Sequence, residues 1–167
     1  EYLDITMPNV TISEVSMMVQ EEYVMNAILV NPKSIKPSEV LADPGCSKTM
    51  AGKAWADEFE KLCTGLIGVS VIRRGSKSIF RFAGGEAKES LEQRTYTAIL
   101  GKRMVKFAVE IIEGNTPCLF SVQNFKSAWS TFKMTPYGTF LSMCTVKLYN
   151  KKLDETSNGL LRIDLLD

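Results

Sequence analysis

Alternation of apolar and polar residues dominates the second half of the chain. In residues 104–112 (MVKFAVEII), apolar side chains recur at every second position, which places them on one face of a β-strand. These side chains are Val105, Phe107, Val109 and Ile111. The same period of two predicts strands over residues 78–82, 95–100, 139–149 and 160–166. Gly101-Lys102 predicts a tight hairpin, and residues 24–30 and 39–42 are short apolar runs with strand character.

Two segments are predicted to be helical. Trp55, Phe59 and Leu62 follow the spacing of one helix face, and Ser47 or Thr49 is a suitable N-cap for that helix. The predicted helices cover residues 50–63 and 122–130. Many short strands with one or two short helices predict a mainly β protein, built as a barrel or a sandwich.

The chain has the length and composition of one globular domain. Its 167 residues are 45% hydrophobic and 23% charged. We divide it into a weakly patterned N-terminal arm, residues 1–21, and a folded domain, residues 22–167. No apolar stretch approaches the roughly 20 residues of a membrane span. The chain begins with Glu1, so we interpret it as a fragment, a processed form or the ordered part of a longer chain. We expect an intracellular protein, with an organelle left open because targeting segments are removed from mature chains.

The chain contains no histidine, which excludes Ser-His-Asp and Cys-His nucleophiles, the HExxH zinc motif and histidine-bound haem. Its four cysteines form no C-x-x-C pair, so we interpret them as free, mostly buried thiols rather than zinc ligands. Twenty basic and nineteen acidic residues give a net charge of +1, which offers no basic surface for nucleic acid. Any catalysis must rest on carboxylates, lysine or an unassisted nucleophile.

Residues 40–59 (VLADPGCSKTMAGKAWADEF) allow two competing hypotheses. A phosphate-binding loop has the pattern G-x-x-x-x-G-K-[ST]. Here Gly45 lies seven residues before Gly52 instead of five, and no hydroxyl residue follows Lys53. We therefore reject a nucleotide site. In the second hypothesis, a short apolar strand ends at Asp43 in a tight turn.

The segment VLADPGCSKT (residues 40–49) resembles the active-site segment of retropepsins, the aspartic proteases of retroviruses and retrotransposons. In that family an apolar strand precedes Asp-Thr/Ser-Gly and a small residue. FRFAGGEAKES (residues 80–90) is similar to the glycine-bearing flap region, and residues 96–129 are similar to the later hairpin, apolar strand and closing helix. The GKAW segment after the turn is like that of gag-pol-type proteases of retrotransposons. The resemblance covers residues 22–166.

This resemblance implies a retropepsin-like closed barrel and an aspartic endopeptidase. Asp43 would be the catalytic carboxylate, Pro44 and Gly45 would complete the active-site turn, and Gly84-Gly85 would belong to the flap. A simple turn between strands explains the two glycines equally well. A homodimer would place two Asp43 carboxylates around one water, where they share a proton and hydrolyse a peptide bond by general acid-base catalysis. The implied partner is a polypeptide substrate, with no metal or cofactor.

Two residues depart from the family pattern. Pro44 stands where retropepsins have a threonine or serine that braces the two active-site turns across the dimer. Proline has no hydroxyl and no N–H to donate. Ser121 stands where many members have glycine. The alternative hypothesis is therefore a catalytically inactive retropepsin-fold protein, recruited as a structural or binding subunit of a larger assembly.

Overall fold

The computed structural model describes residues 3–5, 35–82 and 85–167, which form fourteen strands and two α-helices. The strands are β1 (Leu3–Asp4), β2 (Glu39–Asp43), β3 (Met50–Gly52), β4 (Ile72–Arg74), β5 (Ile79–Arg81), β6 (Ala87–Glu89), β7 (Glu92–Leu100), β8 (Arg103–Ile112), β9 (Leu119–Ser121), β10 (Ser130–Thr135), β11 (Gly138–Met143), β12 (Leu148–Lys152), β13 (Asp154–Glu155) and β14 (Leu161–Asp164). The helices are α1 (Lys53–Ile67) and α2 (Val122–Ser127), and a 3-10 turn covers Cys144–Val146. The predicted strand over 24–30 and most of the arm over 1–21 lie outside the described residues.

Nine strands form the main sheet, in the order β13-β14-β2-β9-β3-β8-β7-β4 with β1 paired to β8. A second sheet joins β10, β11 and β12, and a separate hairpin joins β5 and β6. The predicted mainly β class is confirmed. Within the described part of the chain, β13 and β4 end the path of the main sheet without pairing to each other, so no closed barrel is found there.

The predicted apolar face of β8 forms the centre of the core. Its four alternating side chains are fully buried, as expected for a strand covered on that face. Helix α1 packs here, with the rings of Trp55 and Phe59 stacked at 4.7 Å and the ring of Phe59 5.1 Å from that of Tyr96. The Tyr96 hydroxyl donates a hydrogen bond to the Ala56 carbonyl at 3.0 Å. These contacts hold α1 against the sheet.

The predicted start of the first helix is wrong. Residues 50–52 form β3 because Met50 pairs in parallel with Glu110 of β8 and antiparallel with Leu119 of β9. The helix begins at Lys53, and its N-cap is Gly52, which has no side chain that could form a capping hydrogen bond. The predicted caps, Ser47 and Thr49, therefore lie outside the helix. Pairing with distant strands overrides the local helical pattern.

Two later segments are also shorter than predicted. The strand predicted over 139–149 is wrong as one element, because the 3-10 turn and Lys147 (φ 56°) separate β11 from β12. The helix predicted over 122–130 ends at Ser127, and β10 begins at Ser130. The predicted hairpin at Gly101-Lys102 is confirmed between β7 and β8, with Gly101 at φ 62°.

Two glycines in or beside α1 are expected to respond oppositely to alanine substitution. A Cβ at Gly52 would lie 2.5 Å from the Thr116 backbone nitrogen and 2.6 Å from the Gly114 carbonyl oxygen. We expect Gly52→Ala to lower the free energy of unfolding by about 3 kcal/mol through overpacking. Gly65 lies in the helix with open space around it, so Gly65→Ala should raise that free energy by about 0.5–1 kcal/mol. Urea unfolding measures both, and equal midpoints would contradict the contrast.

Candidate active site

Strand β2 runs from the interior to the surface of the protein and ends at Asp43. Its first four residues are buried, Asp43 is half-buried, and Pro44 and Gly45 are exposed. The strand lies between β14, which is antiparallel, and β9, which is parallel and places Ser121 opposite Asp43. The carboxylate therefore stands at the end of a strand that is fixed on both sides.

The predicted tight turn follows directly after this strand. The Cys46 N–H donates to the Asp43 carbonyl at 3.0 Å, and the Gly45 N–H donates to Asp43 Oδ1 at 3.0 Å. An aspartate that binds the N–H two residues on is a common way to fix a turn. Pro44 occupies the second position of the turn, which suits its fixed φ. Locally, Pro44 is compatible with the geometry that holds Asp43.

The surroundings of Asp43 change its acidity. Burial raises the pKa of the Asp43 carboxyl above its ordinary value, while hydrogen bonds from the backbone N–H groups of Gly45 and Cys46 act in the opposite direction. Burial prevails because removal of water disfavours the charged form. Asp43 thus keeps its proton at a higher pH than an ordinary aspartate.

A buried hydrogen-bond network lies beside the turn and includes Ser121, the residue opposite Asp43. The Ser121 N–H donates to Thr49 Oγ1 at 2.9 Å, and the Ser121 hydroxyl donates to Asn124 Oδ1 at 3.0 Å. The Thr49 hydroxyl also donates to Asn124 Oδ1. Asn124 Nδ2 donates to the Ile5 carbonyl at 3.0 Å, which ties the segment after β1 to the network. Sequence reasoning noticed Ser121 and missed the roles of Thr49 and Asn124, since isolated polar residues give no periodic signal.

Cys46, the last residue of the turn, is buried and its thiol is unreactive. Burial, with a further contribution from the charge of Asp43, raises the pKa of its thiol to about 12. The thiol donates to the Lys48 carbonyl at 2.7 Å. Cys46 is buried, as predicted for most of the cysteines. It belongs to an apolar cluster, called here the lower cluster, which consists of Ile35, Leu41, Cys46, Met50, Phe82, Ile112 and Leu119.

The β5–β6 hairpin reaches the lower cluster through Phe82. The Phe82 N–H donates to the Glu86 carbonyl and the Gly85 N–H donates to the Phe82 carbonyl, both at 2.9 Å. Gly85 adopts φ +80°, a conformation that favours glycine. Gly84 lies outside the described residues. Phe82 thus places the hairpin beside the loop that follows Asp43, and Gly85 lies in its turn.

The rejected phosphate loop uses its polar groups internally. The Gly52 N–H donates to the Thr116 carbonyl at 2.8 Å, and the Ala54 N–H donates to the Gly114 carbonyl at 3.1 Å. Lys53 Nζ pairs with Asp57 Oδ2 at 2.6 Å. Both N–H groups already have carbonyl partners and the ammonium is already paired with a carboxylate, which supports the rejection.

Three of the four cysteines are buried, Cys144 is exposed, and none forms a disulfide, so the prediction of free, mostly buried thiols is confirmed. Over residues 3–5, 35–82 and 85–167, no three acidic or thiol side chains are grouped as a metal site would require. None of the helices in these ranges has the length and apolar character needed to cross a membrane.

Comparisons of the chain with protein-family models, with curated proteins and with solved structures find no match. The candidate site is therefore defined by the chain's own residues, with Asp43, Pro44 and Gly45 at its centre.

Proposed function

We propose that this chain is a retropepsin-like domain that acts as an aspartic endopeptidase in a homodimer. The observation that carries the proposal is the position of Asp43, half-buried at the exposed end of a buried strand and fixed by the turn that follows. Strand β2 pairs in parallel with β9, which sets Asp43 opposite Ser121, the residue at the glycine position of the family pattern. Closure of the barrel stays a prediction.

The proposed chemistry needs one Asp43 from each of two copies. Two carboxylates at hydrogen-bond distance share one proton, because like charges so close together disfavour double ionisation. The ionised carboxylate would take a proton from a water molecule, and the protonated one would donate to the carbonyl oxygen of the scissile peptide bond. The raised pKa of Asp43 supports this, since a carboxyl that retains its proton is suited to the donor role. The exposed turn leaves room for the second copy.

Pro44 supports a second candidate function. It is exposed beside Asp43 and has no donor with which to brace a neighbouring turn. In this alternative the chain is a catalytically inactive member of the same fold that binds other subunits, and Asp43 has only the structural role of fixing the turn through Gly45.

Substitution of Pro44 by threonine tests the two functions together. It restores a hydroxyl and an N–H at the turn, so we expect Pro44→Thr to tighten the homodimer by about ten-fold, the equivalent of one buried hydrogen bond. Cleavage of a random peptide library should rise in parallel and be greatest at mildly acidic pH, where the pair of carboxylates holds one proton. Analytical ultracentrifugation and mass spectrometry of the library measure these effects.

Pro37→Thr provides the matched control, because Pro37 is also exposed in a turn but lies before β2. It should leave both dimerisation and cleavage unchanged. Absence of cleavage by the unmodified chain and by Pro44→Thr, at concentrations where both are dimeric and at every pH from about 4 to 7, would refute the protease and favour the inactive subunit.

A further inference from the structure

A second polar network lies on the side of the sheet that carries the β5–β6 hairpin, and Lys48 is at its centre. Lys48 Nζ donates to the Ser78 hydroxyl at 3.0 Å and lies 3.8 Å from Glu110 Oε1. Glu110 also accepts hydrogen bonds from the Ser76 hydroxyl at 2.6 Å and from Gln93 Nε2 at 3.0 Å. The Glu110 side chain is 4% exposed and that of Lys48 17% exposed. Lys48 therefore neutralises a carboxylate that is almost completely buried.

Ser78 is the residue at which the hairpin leaves the body of the protein. It directly precedes β5, and Ser90 directly follows β6. The Ser90 N–H donates to the Ser78 carbonyl at 2.7 Å, and the Ser78 N–H donates to the Ser90 hydroxyl at 3.2 Å. These two bonds close the base of the hairpin. The contact from Lys48 to Ser78 thus reaches the base rather than the turn of the hairpin.

Lys48 is also joined to the loop that begins at Asp43. Its carbonyl accepts the hydrogen bond from the Cys46 thiol, three residues beyond Asp43. The Cys46 carbonyl in turn accepts a hydrogen bond from the Val122 N–H at 3.2 Å, which fixes this loop to the start of α2. The backbone of Lys48 therefore belongs to the candidate active-site loop, while its side chain holds the hairpin.

We propose that Lys48 is a positioning residue that sets where the β5–β6 hairpin stands relative to the Asp43 turn. On this side the hairpin is attached through apolar contacts and through its base. Phe82 belongs to the lower cluster, which also contains Cys46, and Phe80 packs against that cluster, while Ser78 at the base binds Lys48. The apolar contacts hold the far end without fixing its direction, because packing is non-directional. The charge-assisted bond from Lys48 adds a fixed direction. The consequence for cleavage rests on the proposed protease function; the attachment itself does not.

Hydrogen exchange of the backbone amides of residues 79–89 tests the attachment without any assay of activity. We expect Lys48→Met to speed exchange in this segment by about ten-fold more than in β7 and β8. The hairpin base loses its charged partner, whereas Glu110 of β8, which loses the same cation, keeps its hydrogen bonds from Ser76 and Gln93. Lys48→Arg keeps the charge and the donors, and should restore exchange to within about three-fold of the unmodified chain. Ser78→Ala removes only the hydroxyl and should speed exchange in the same segment.

Lys77→Met is the matched control, since Lys77 is an exposed lysine next to Ser78 and the same charge is lost. It should leave the exchange of the hairpin unchanged. Unaltered exchange in both Lys48→Met and Ser78→Ala would overturn the proposal. An equal rise in the exchange rate throughout the chain in Lys48→Met, with no reversal in Lys48→Arg, would also overturn it, because that result indicates general destabilisation.

Peptide cleavage separates this proposal from the proposed function. If the unmodified chain cleaves peptides, Lys48→Met should raise KM more than it lowers kcat, because a misplaced hairpin weakens substrate binding before it affects the carboxylates. If the unmodified chain cleaves nothing, the protease hypothesis fails, and the exchange measurements still decide whether Lys48 positions the hairpin.

Discussion

Replacement of Asp43 by asparagine is expected to lower the rate of peptide cleavage about a thousand-fold, to the level of the assay background, because an amide cannot act as the general base. The fold should survive the change. The side-chain oxygen of asparagine can still accept the hydrogen bond that Asp43 Oδ1 receives from the Gly45 N–H. Asp154→Asn is the matched control, since Asp154 is an exposed residue of the edge strand β13. Its activity should equal that of the unmodified chain.

The same variant has a pH-dependent effect on stability. Burial raises the pKa of Asp43 in the folded chain, so the folded state binds this proton more tightly than the unfolded state. The stabilisation from that proton is complete below the ordinary aspartate pKa and is lost as the pH rises through the raised value. At neutral pH the charged carboxylate therefore lowers stability, and Asp43→Asn should melt at the same or a higher temperature. Melting curves measured on both sides of this window provide the check.

A cleavage rate unchanged by Asp43→Asn would refute the proposed mechanism whatever the oligomeric state. Lost cleavage with a melting temperature that falls at neutral pH would indicate instead that the turn needs the carboxylate for its structure. The two measurements together separate the chemical role of Asp43 from its role in holding Gly45.

Loss of Arg94 is expected to cause one of the largest losses of stability. Its side chain is 2% exposed and lies between α1 and the sheet. It binds Asp57 at 2.8 Å, Glu60 at 3.0 Å and Glu92 at 2.6 Å. Arg94→Met should lower the free energy of unfolding by about 3 kcal/mol, the lower end of the range for breaking a buried charge pair, because the carboxylates are partly exposed and regain water.

Arg73 offers a matched comparison, because it binds the same Glu60 carboxylate at 2.6 Å but is 48% exposed. Arg73→Met should cost at most about 1 kcal/mol, since exposed ion pairs are weak. Chemical denaturation of the two variants gives the difference directly. Equal losses would show that burial of the arginine does not decide the strength of this cluster.

The parts of the fold that could be predicted from the sequence are those with a strong local signal. Strands β7 and β8 have nine and ten residues, and alternation within residues 95–100 and 104–112 marks them. The Gly101-Lys102 turn between them is typical of a hairpin. Strand β3 could not be predicted in the same way. It has three residues, which are too few to show a period, and its existence depends on pairing with β8 and β9.

The candidate site shows the same division. An apolar strand followed by Asp43 and a turn is a local pattern, and it predicted the turn that the structure has. The supporting contacts are not local: Thr49 binds Asn124 across 75 residues, and Lys48 binds Ser78 across 30 residues. No sequence spacing specifies which of many polar residues will meet when the strands pair. A single sequence therefore predicts the exposed turn of the site better than the long-range hydrogen bonds that support it.

The buried network beside Asp43 determines when the site can form while the chain is being synthesised. Ser121 and Thr49 are 72 residues apart, and Asn124 and Ile5 are 119 residues apart. At ribosomal speeds of about 5–20 residues per second, Asp43 emerges about 4 to 16 s before Ser121 and Asn124, the distant members of this network. Contacts between such distant segments also form slowly. A nascent chain would therefore expose the aspartate before the contacts that support its turn exist. If the chain is the proposed protease, this delay would postpone cleavage of the polypeptides that grow on the same messenger RNA.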